Sequence, residues 1–229
     1  MTITDPTPSP TPRPRLLDLF CGAGGAAMGY HRAGFDVVGV DINPQPNYPF
    51  EFVQNDAIDL MVTDSWRCWG GPRGFDAIHA SPPCQAYSTA TRDHSAHPDL
   101  YAATRELLEA TGLPWVIENV VGAPYGSGIV LCGSMFGMEV RRHRNFETSW
   151  LMFQPEHRCK FETRPYTITG HRDGPNGHES KHHKGPSPEM GPKLMGCPWM
   201  TWEECVLAIP PPYTELIGQQ LMANLKVKS

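Results

Sequence analysis

The 229-residue sequence contains no Cys-x-x-Cys pair, and its seven cysteines (21, 68, 84, 132, 159, 197 and 205) are an odd number at irregular spacing. That excludes a disulfide framework and a zinc ribbon, and reduced thiols in a cytoplasm are the simplest reading. No apolar run approaches the ~20 residues that a membrane helix requires, and the N-terminus lacks the apolar core of a signal peptide. Internal repeats are absent. The net charge of -5 excludes a protein that coats nucleic acid by charge alone. The charge is unevenly spread, however. Residues 141–193 carry ten Lys/Arg against six Asp/Glu, together with six of the ten histidines. An acidic body with a basic, His-rich segment is compatible with local contact to phosphates.

Residues 1–14 form a Pro/Thr-rich tail expected to be disordered. From Arg15 the pattern alternates. A buried strand to Phe20 leads into the Gly-rich turn Cys21-Gly22-Ala23-Gly24-Gly25, then a helix through Ala33 that stops at Gly34. Further strands are predicted at Phe35 to Val40, Glu51 to Val53, Phe75 to Ala80 and Trp115 to Ile117, with a helix over Asp99 to Ala110. Strands alternating with helices imply an α/β fold, a mostly parallel sheet with helices on both faces. Ligands in such sheets bind at the carboxyl ends of the strands. Gly22, Asp41, Asp56, Cys84 and Glu118 all fall at predicted strand ends, so five candidate functional positions converge on one sheet edge. After Trp150 the periodicity fades until Thr201, an N-cap with Glu204 placed for a capping box. That helix is expected to end before Pro210-Pro211-Pro212, and a last one to run from about Thr214 to Leu225.

The Gly-rich turn alone fits a dinucleotide fingerprint, with Asp41 nineteen residues after Gly22 in the place of a ribose-binding acid. Asp18, just ahead of the turn, tilts the choice. A carboxylate is unfavourable beside a pyrophosphate and favourable beside a sulfonium cation, which points to S-adenosylmethionine. The stretch Ser81-Pro82-Pro83-Cys84-Gln85-Ala86-Tyr87-Ser88 holds one thiol behind a rigid Pro-Pro turn. A thiolate there is a candidate nucleophile.

Taken in order, these motifs resemble the DNA cytosine-5 methyltransferases of compact bacterial or bacteriophage type, over most of residues 15–225. Asp18-Leu19-Phe20-x-Gly22-x-Gly24-Gly25 resembles the family's first cofactor motif, and Pro82-Pro83-Cys84-Gln85-x-Tyr87-Ser88 its nucleophile loop. Glu118-Asn119-Val120 resembles the second catalytic motif, and Arg141-Arg142-His143-Arg144 the strand carrying active-site arginines. The resemblance implies a class I S-adenosylmethionine-dependent methyltransferase fold and methylation of cytosine carbon-5. Catalysis would fall to Cys84, Glu118, Arg144 and Arg142. Cofactor contacts would come from Asp18, Phe20, Gly22, Gly24, Asp41, Ile42, Asp56 and Pro82. Substrate contacts would come from Pro83, Gln85, Ser88, Asn119, Arg172, Lys181 and Lys184, with His171, Arg172, Lys181, His182, His183 and Lys184 as candidate DNA contacts.

The resemblance further implies a catalytic domain over 15–152, a short target-recognition region over 153–198 and returning C-terminal helices over 199–229. The partner would be double-stranded DNA, from which the target base is flipped out. The expected setting is a monomer in the cytoplasm of a bacterial cell or phage-infected host, with a cognate restriction endonuclease as a candidate partner. Two departures stand out: Glu139-Val140 where the family usually has Pro-Gln, and Gly218-Gln219-Gln220-Leu221 in place of Gly-Asn-Ser-Val. His157, Cys159, His171, His178, His182, His183 and Cys197 could supply zinc ligands, but their spacing matches no metal motif and no metal is expected. Three rivals stand beside this reading. A tRNA cytosine-5 methyltransferase would carry a Cys-Phe-Thr insertion, absent here. An NAD-dependent oxidoreductase rests only on the Gly turn and Asp41. Intact Cys84 and Glu118 weigh against an inactive DNA-binding protein.

Overall fold

The computed structural model describes residues 12–69, 74–83, 99–123, 128–157, 159–168 and 185–228. Strands β1 (Arg15–Leu19), β2 (Asp36–Asp41), β3 (Glu51–Gln54), β4 (Ala77–Ala80), β5 (Trp115–Asn119), β6 (Ile129–Leu131) and β7 (Arg144–Thr148) form one sheet in the order β3-β2-β1-β4-β5-β7-β6. β1 to β5 pair in parallel, whereas β7 runs antiparallel to both β5 and β6. The expected α/β class therefore holds. β1, β4 and β5 sit centrally and are almost wholly buried, which explains their near-continuous apolar sequences.

The helices cover both faces. Helices α1 (Gly25–Ala33) and α7 (Pro211–Lys228) pack on one face around Tyr30, Phe146, Tyr213 and Ile217. Helices α2 (Ala57–Val62), α3 (Trp66–Trp69) and α4 (Tyr101–Thr111) cover the other, around Leu60, Trp66 and Leu108. Buried Glu147 on β7 ties α4 to the sheet by accepting from Tyr101 Oη and from Arg105 Nε at 3.0 Å. Gly34 ends α1 in the left-handed region (φ 109°), as its sequence position implies. The last helix starts three residues earlier than expected, at Pro211. Prolines read as breakers along a sequence, but the first helical turn has no N–H partners to lose.

The segment after Trp150 is largely irregular. It pairs with the body through a bridge between Val140 and Tyr166 and then forms α5 (Met190–Met195). Ile168 and Met195 share a core with Cys205 and Ala208 around helix α6 (Trp202–Leu207). The capping box of α6 is present as expected, with Glu204 N–H donating to Thr201 Oγ1 and Thr201 N–H to Glu204 Oε2. The divergent Gly218-Gln219-Gln220-Leu221 also acquires a physical role. Gly218 lets α7 approach Tyr30 and Ala33, Leu221 is buried, and the Gln220 amide exchanges two 2.9 Å bonds with the backbone of Phe153. Gln220 thereby holds the start of the irregular segment.

The α1–α7 contact is tight enough to test. A Cβ on Gly29 would lie 2.2 Å from the Pro211 carbonyl oxygen and 2.1 Å from Thr214 Oγ1. Gly29→Ala gains about 1 kcal/mol of helix propensity. Overpacking against a fixed carbonyl costs about 1–3 kcal/mol. The net expectation is a lower urea midpoint with an unchanged m-value, measured by equilibrium unfolding. An increase would contradict the packing described.

Candidate active site

The carboxyl ends of β1, β2, β4 and β5 open into a cavity of about 380 Å³. It is lined by Asp18, Phe20, Gly22, Asp41, Ile42, Asp56, Pro82 and Pro83, with Ser81, Glu118 and Arg144 at one side. Of the five positions expected to converge at strand ends, Gly22, Asp41, Asp56 and Glu118 line it. Cys84, Gln85, Ser88, Arg172, Lys181 and Lys184 lie outside the described residues, as do His171, His182 and His183.

Local backbone shapes the cofactor end. Phe20, directly after β1, has φ 57°, a left-handed conformation costly for a bulky residue, and Gly22 follows at φ 49°. A Cβ on Gly22 would meet nothing within 4 Å, so the turn leaves open space above the sheet. Gly24 does not line the cavity. It caps α1 at φ 84°, and a Cβ there would meet Tyr48 and Pro49, so the turn needs glycine at this position. Asp41 at the end of β2 accepts from Gly22 N–H at 3.0 Å and Asn43 N–H at 2.9 Å. Asp56 caps α2, taking both bonds on Oδ1. Ile42 is 60% exposed at the rim, an apolar surface facing outwards beside polar neighbours.

Asp18 is the most unusual group present. Its carboxylate is completely buried, and neither oxygen has a hydrogen-bond partner among the described residues. Burial, reinforced by the nearby Asp41 charge, pushes its pKa well above the ordinary carboxylate range. An orphaned carboxylate on the floor of a cavity is complementary to a cation. The cavity's residues therefore fit a ligand of the S-adenosylmethionine type, with an anionic floor for a sulfonium, backbone-held Asp41 for hydroxyls and an apolar rim at Ile42.

A polar relay runs from the core to the second end of the cavity, where Ser81 and Glu118 line it. Strand register pairs Asp18 with His79 and His79 with Val116, two residues before Glu118, so Asp18, His79 and Glu118 share one face of the sheet. Tyr30 Oη lies 3.0 Å from His79 Nδ1, His79 Nε2 lies 3.0 Å from Ser81 Oγ, and the Ser81 hydroxyl bonds Glu118. Burial pulls the His79 pKa down to about 3, so the ring is neutral. With an ionised Glu118 accepting from Ser81, the chain has one direction. Tyr30 donates to Nδ1, Nε2–H donates to Ser81, and Ser81 donates to the carboxylate. Glu118 is itself buried and meets Arg144 Nε at 3.0 Å. Desolvation raises its pKa, and the Arg144 charge and Ser81 bond pull against that rise without cancelling it.

Two expected site residues have other work. Asn119 is buried beside Glu118 in sequence but outside the cavity lining. Its Nδ2 donates to the Pro82 carbonyl at 3.0 Å and its Oδ1 accepts from Val120 N–H at 2.8 Å. These bonds make Asn119 an anchor for the Pro-Pro turn ahead of Cys84. Arg142 likewise does not line the cavity. Its guanidinium donates to the carbonyls of Ile168 at 3.1 Å and Val206 at 2.8 Å. Deep burial lowers its pKa to about 9. It bolts the irregular segment to α6. Arg144 alone of the two reaches the cavity.

Sequence reasoning missed the far wall. Glu204, Leu207, Ala208 and Ile209 close the cavity from the C-terminal region, and Asn47 Nδ2 donates to both Glu204 oxygens at 3.0 Å. Trp199 Nε1 donates to the Ala23 carbonyl at 2.9 Å, locking that wall to the Gly-rich turn. The capping-box signal placed Glu204 at a helix start, and nothing local tied it to Asn47. The expected zinc candidates also separate. His157 and Cys159 meet Cys132 and His143, Cys197 is buried in the core around Met195 and Cys205, and His171, His178, His182 and His183 lie outside the described residues.

Comparison with known proteins agrees with this geometry. Residues 15–123 match the family model of the C-5 cytosine-specific DNA methylases. The chain is 32% identical over 133 residues to the Type II methyltransferase M.AgeI of Thalassovita gelatinovora, covering 53% of this chain and 31% of that protein. It is 33% identical over 122 residues to the Type II methyltransferase M.XorII of Xanthomonas oryzae pv. oryzae, covering 48% and 29%. The matched stretch thus spans under a third of each relative. Among solved structures, a candidate DNA modification methyltransferase encoded within an E. coli prophage superposes with TM-score 0.64 at 16% identity, covering 93% of this chain and 99% of that one. S. pombe Dnmt2 methyltransferase gives TM-score 0.61 at 14% identity, covering 93% and 99%. At those identities the structural likeness concerns the fold.

Proposed function

We propose, from the premise that residues 15–123 belong to the C-5 cytosine-specific DNA methylase family, that the chain methylates carbon-5 of a flipped-out cytosine in double-stranded DNA. The observation that carries the reading is the arrangement of Glu118, paired with Arg144, on the same cavity wall as Pro82 and Pro83, directly ahead of Cys84. Cys84 is the nucleophile and Glu118 the acid.

The chemistry requires this pairing. Carbon-5 of cytosine is a weak nucleophile until the ring loses aromaticity. The Cys84 thiolate adds to carbon-6, forming a C–S bond, while Glu118 delivers a proton to ring nitrogen-3. The resulting enamine places electron density on carbon-5. S-adenosylmethionine, when bound, supplies an electrophilic methyl group. Carbon-5 would take that methyl group as the methyl–sulfur bond breaks, leaving S-adenosylhomocysteine. A water then takes the carbon-5 proton, the C–S bond breaks to return the Cys84 thiolate, and nitrogen-3 gives its proton back to Glu118. Arg144 orients Glu118 and stabilises negative charge nearby. Asp18, Phe20, Gly22, Asp41, Ile42, Asp56 and Pro82 hold the cofactor. In this reading Pro83, Gln85, Ser88 and Asn119 are assigned to binding the base, and Arg172, Lys181 and Lys184 of the basic segment to phosphates.

The direct test is transfer of labelled methyl groups to unmethylated duplex DNA, with tRNA as a parallel substrate, followed by hydrolysis to nucleosides. Label is expected in 5-methyldeoxycytidine. Label confined to tRNA, to an exocyclic amine, or found nowhere would overturn the reading.

The relay makes a pH prediction. The Ser81 bond lowers the Glu118 pKa, so Ser81→Ala raises it. Methyl transfer requires the protonated carboxyl, so the alkaline limb of the kcat/KM profile is expected to move to higher pH. A purely structural role for Ser81 would lower activity uniformly and leave the limb in place.

A further inference from the structure

Outside the cavity, four metal-ligating side chains from three separate parts of the chain meet. They are Cys132 just after β6, His143 just before β7, and His157 and Cys159 at the start of the irregular segment. One donor atom from each falls within 4.8 Å of all the others. The two sulfurs are 3.9 Å apart, and the two imidazole rings stand edge to face at 84° with centroids 5.2 Å apart. Cys132 is buried and Cys159 exposed, so the group spans from the body to the surface.

These distances can be compared with a real coordination sphere. Zinc takes sulfur at about 2.3 Å and imidazole nitrogen at about 2.0 Å in a tetrahedron. The edges of such a tetrahedron are roughly 3.8 Å between sulfurs and 3.3 Å between nitrogens, from those same bond lengths. The sulfur pair already has that spacing. The other donors lie within 4.8 Å of one another, so reaching their tetrahedral edges takes at most about 1.5 Å of contraction, within the reach of side-chain rotation. A disulfide is a poor account of the cluster, because bonded sulfurs stand at about 2.05 Å and the histidines would have no part in it. Two thiols with two imidazoles and no carboxylate select zinc over magnesium or calcium. Arg141 bonds the Cys159 side chain, an outer contact of the kind that steadies a thiolate ligand.

We propose that Cys132, His143, His157 and Cys159 bind one structural zinc ion. The ion clamps the start of the irregular segment to the edge of the sheet, one residue from Arg144. It joins Gln220 on Phe153, the Val140–Tyr166 bridge and Arg142 on Ile168 in fastening that segment. The assignment stands on these residues alone and is independent of the methyl-transfer reading.

The full chain, purified under reducing conditions, is expected to contain about one zinc per molecule by mass spectrometry of the metal. Cobalt substitution should give the visible bands of a tetrahedral thiolate site. Cys159→Ser and His157→Ala, both at the surface, should weaken zinc binding more than ~100-fold, beyond what outer contacts cost. His157→Cys, which keeps a ligand, should retain the ion. Chelation should lower the thermal unfolding temperature of the parent and leave that of Cys159→Ser unmoved. A folded protein that neither contains nor takes up zinc or cobalt would overturn the proposal. So would a Cys132–Cys159 disulfide in the reduced preparation, or zinc retained at full affinity by both surface variants.

Discussion

Glu118→Gln is expected to lower methyl transfer about 10²–10⁴-fold, the range that a positioned acid contributes, with little change in cofactor affinity. Glutamine preserves the shape of the side chain and can still face Ser81 and Arg144, but it has no proton to deliver. The magnitude depends on how the site balances Glu118. Burial alone favours the neutral acid, while Arg144 at 3.0 Å and the Ser81 hydroxyl favour the anion. Because burial wins, the carboxyl holds its proton to higher pH than a free glutamate, which is what an acid working near neutrality needs. The parent should therefore lose activity as pH rises through the Glu118 pKa, and the residual activity of Glu118→Gln should lack that limb. Single-turnover transfer across pH, beside cofactor titration, measures both. Equal loss of cofactor binding and transfer would move Glu118 out of the chemistry and into cofactor binding.

Asp18→Asn is expected to separate two effects that usually travel together. In the ligand-free protein the Asp18 carboxylate is buried without a partner, and its pKa is raised. A carboxyl whose folded pKa exceeds its unfolded value contributes stability that is fully present below the unfolded value. That stability is lost as pH rises through the folded pKa. Removing the carboxyl should accordingly stabilise the ligand-free protein at pH 7, with the difference from the parent shrinking as pH is lowered toward 4. Cofactor binding should move the other way. Truncating one partner of a desolvated charge pair costs about 2 kcal/mol or more, so affinity for S-adenosylmethionine should fall at least ~30-fold. S-adenosylhomocysteine, which lacks the sulfonium charge, should lose less. Thermal melts across pH and calorimetric titration with both ligands read these changes. Equal losses for the two ligands would show that Asp18 does not face the sulfonium.

Much of the N-terminal half was legible because its signals are local. Short apolar runs ending in Asp41, Glu118 or a Gly-rich turn announce parallel strands and a strand-end site, and the Gly34 stop of α1 needed only its own neighbours. Side-chain direction was less accessible. A motif places Glu118 and Asn119 side by side, but successive residues on a strand point to opposite faces, so one enters the cavity and the other anchors Pro82. Arg142 and Arg144 were likewise indistinguishable until the carbonyls of Ile168 and Val206 claimed the first. The C-terminal wall, and the place of Cys132 and His143 beside the zinc candidates His157 and Cys159, were invisible for a different reason. Their partners are brought together from distant parts of the chain by the sheet order, and no spacing rule encodes that.

Covalent capture addresses the central claim most directly. Duplex DNA containing 5-fluorocytosine, incubated with the protein and S-adenosylmethionine, offers a base whose carbon-5 cannot shed a proton, so the C–S bond cannot break. A stable protein–DNA adduct mapped by peptide mass spectrometry to Cys84, and missing in Cys84→Ser, is the expected result. Folded, cofactor-binding protein that forms no adduct across a pool of varied sequences, or an adduct at another cysteine, would contradict it.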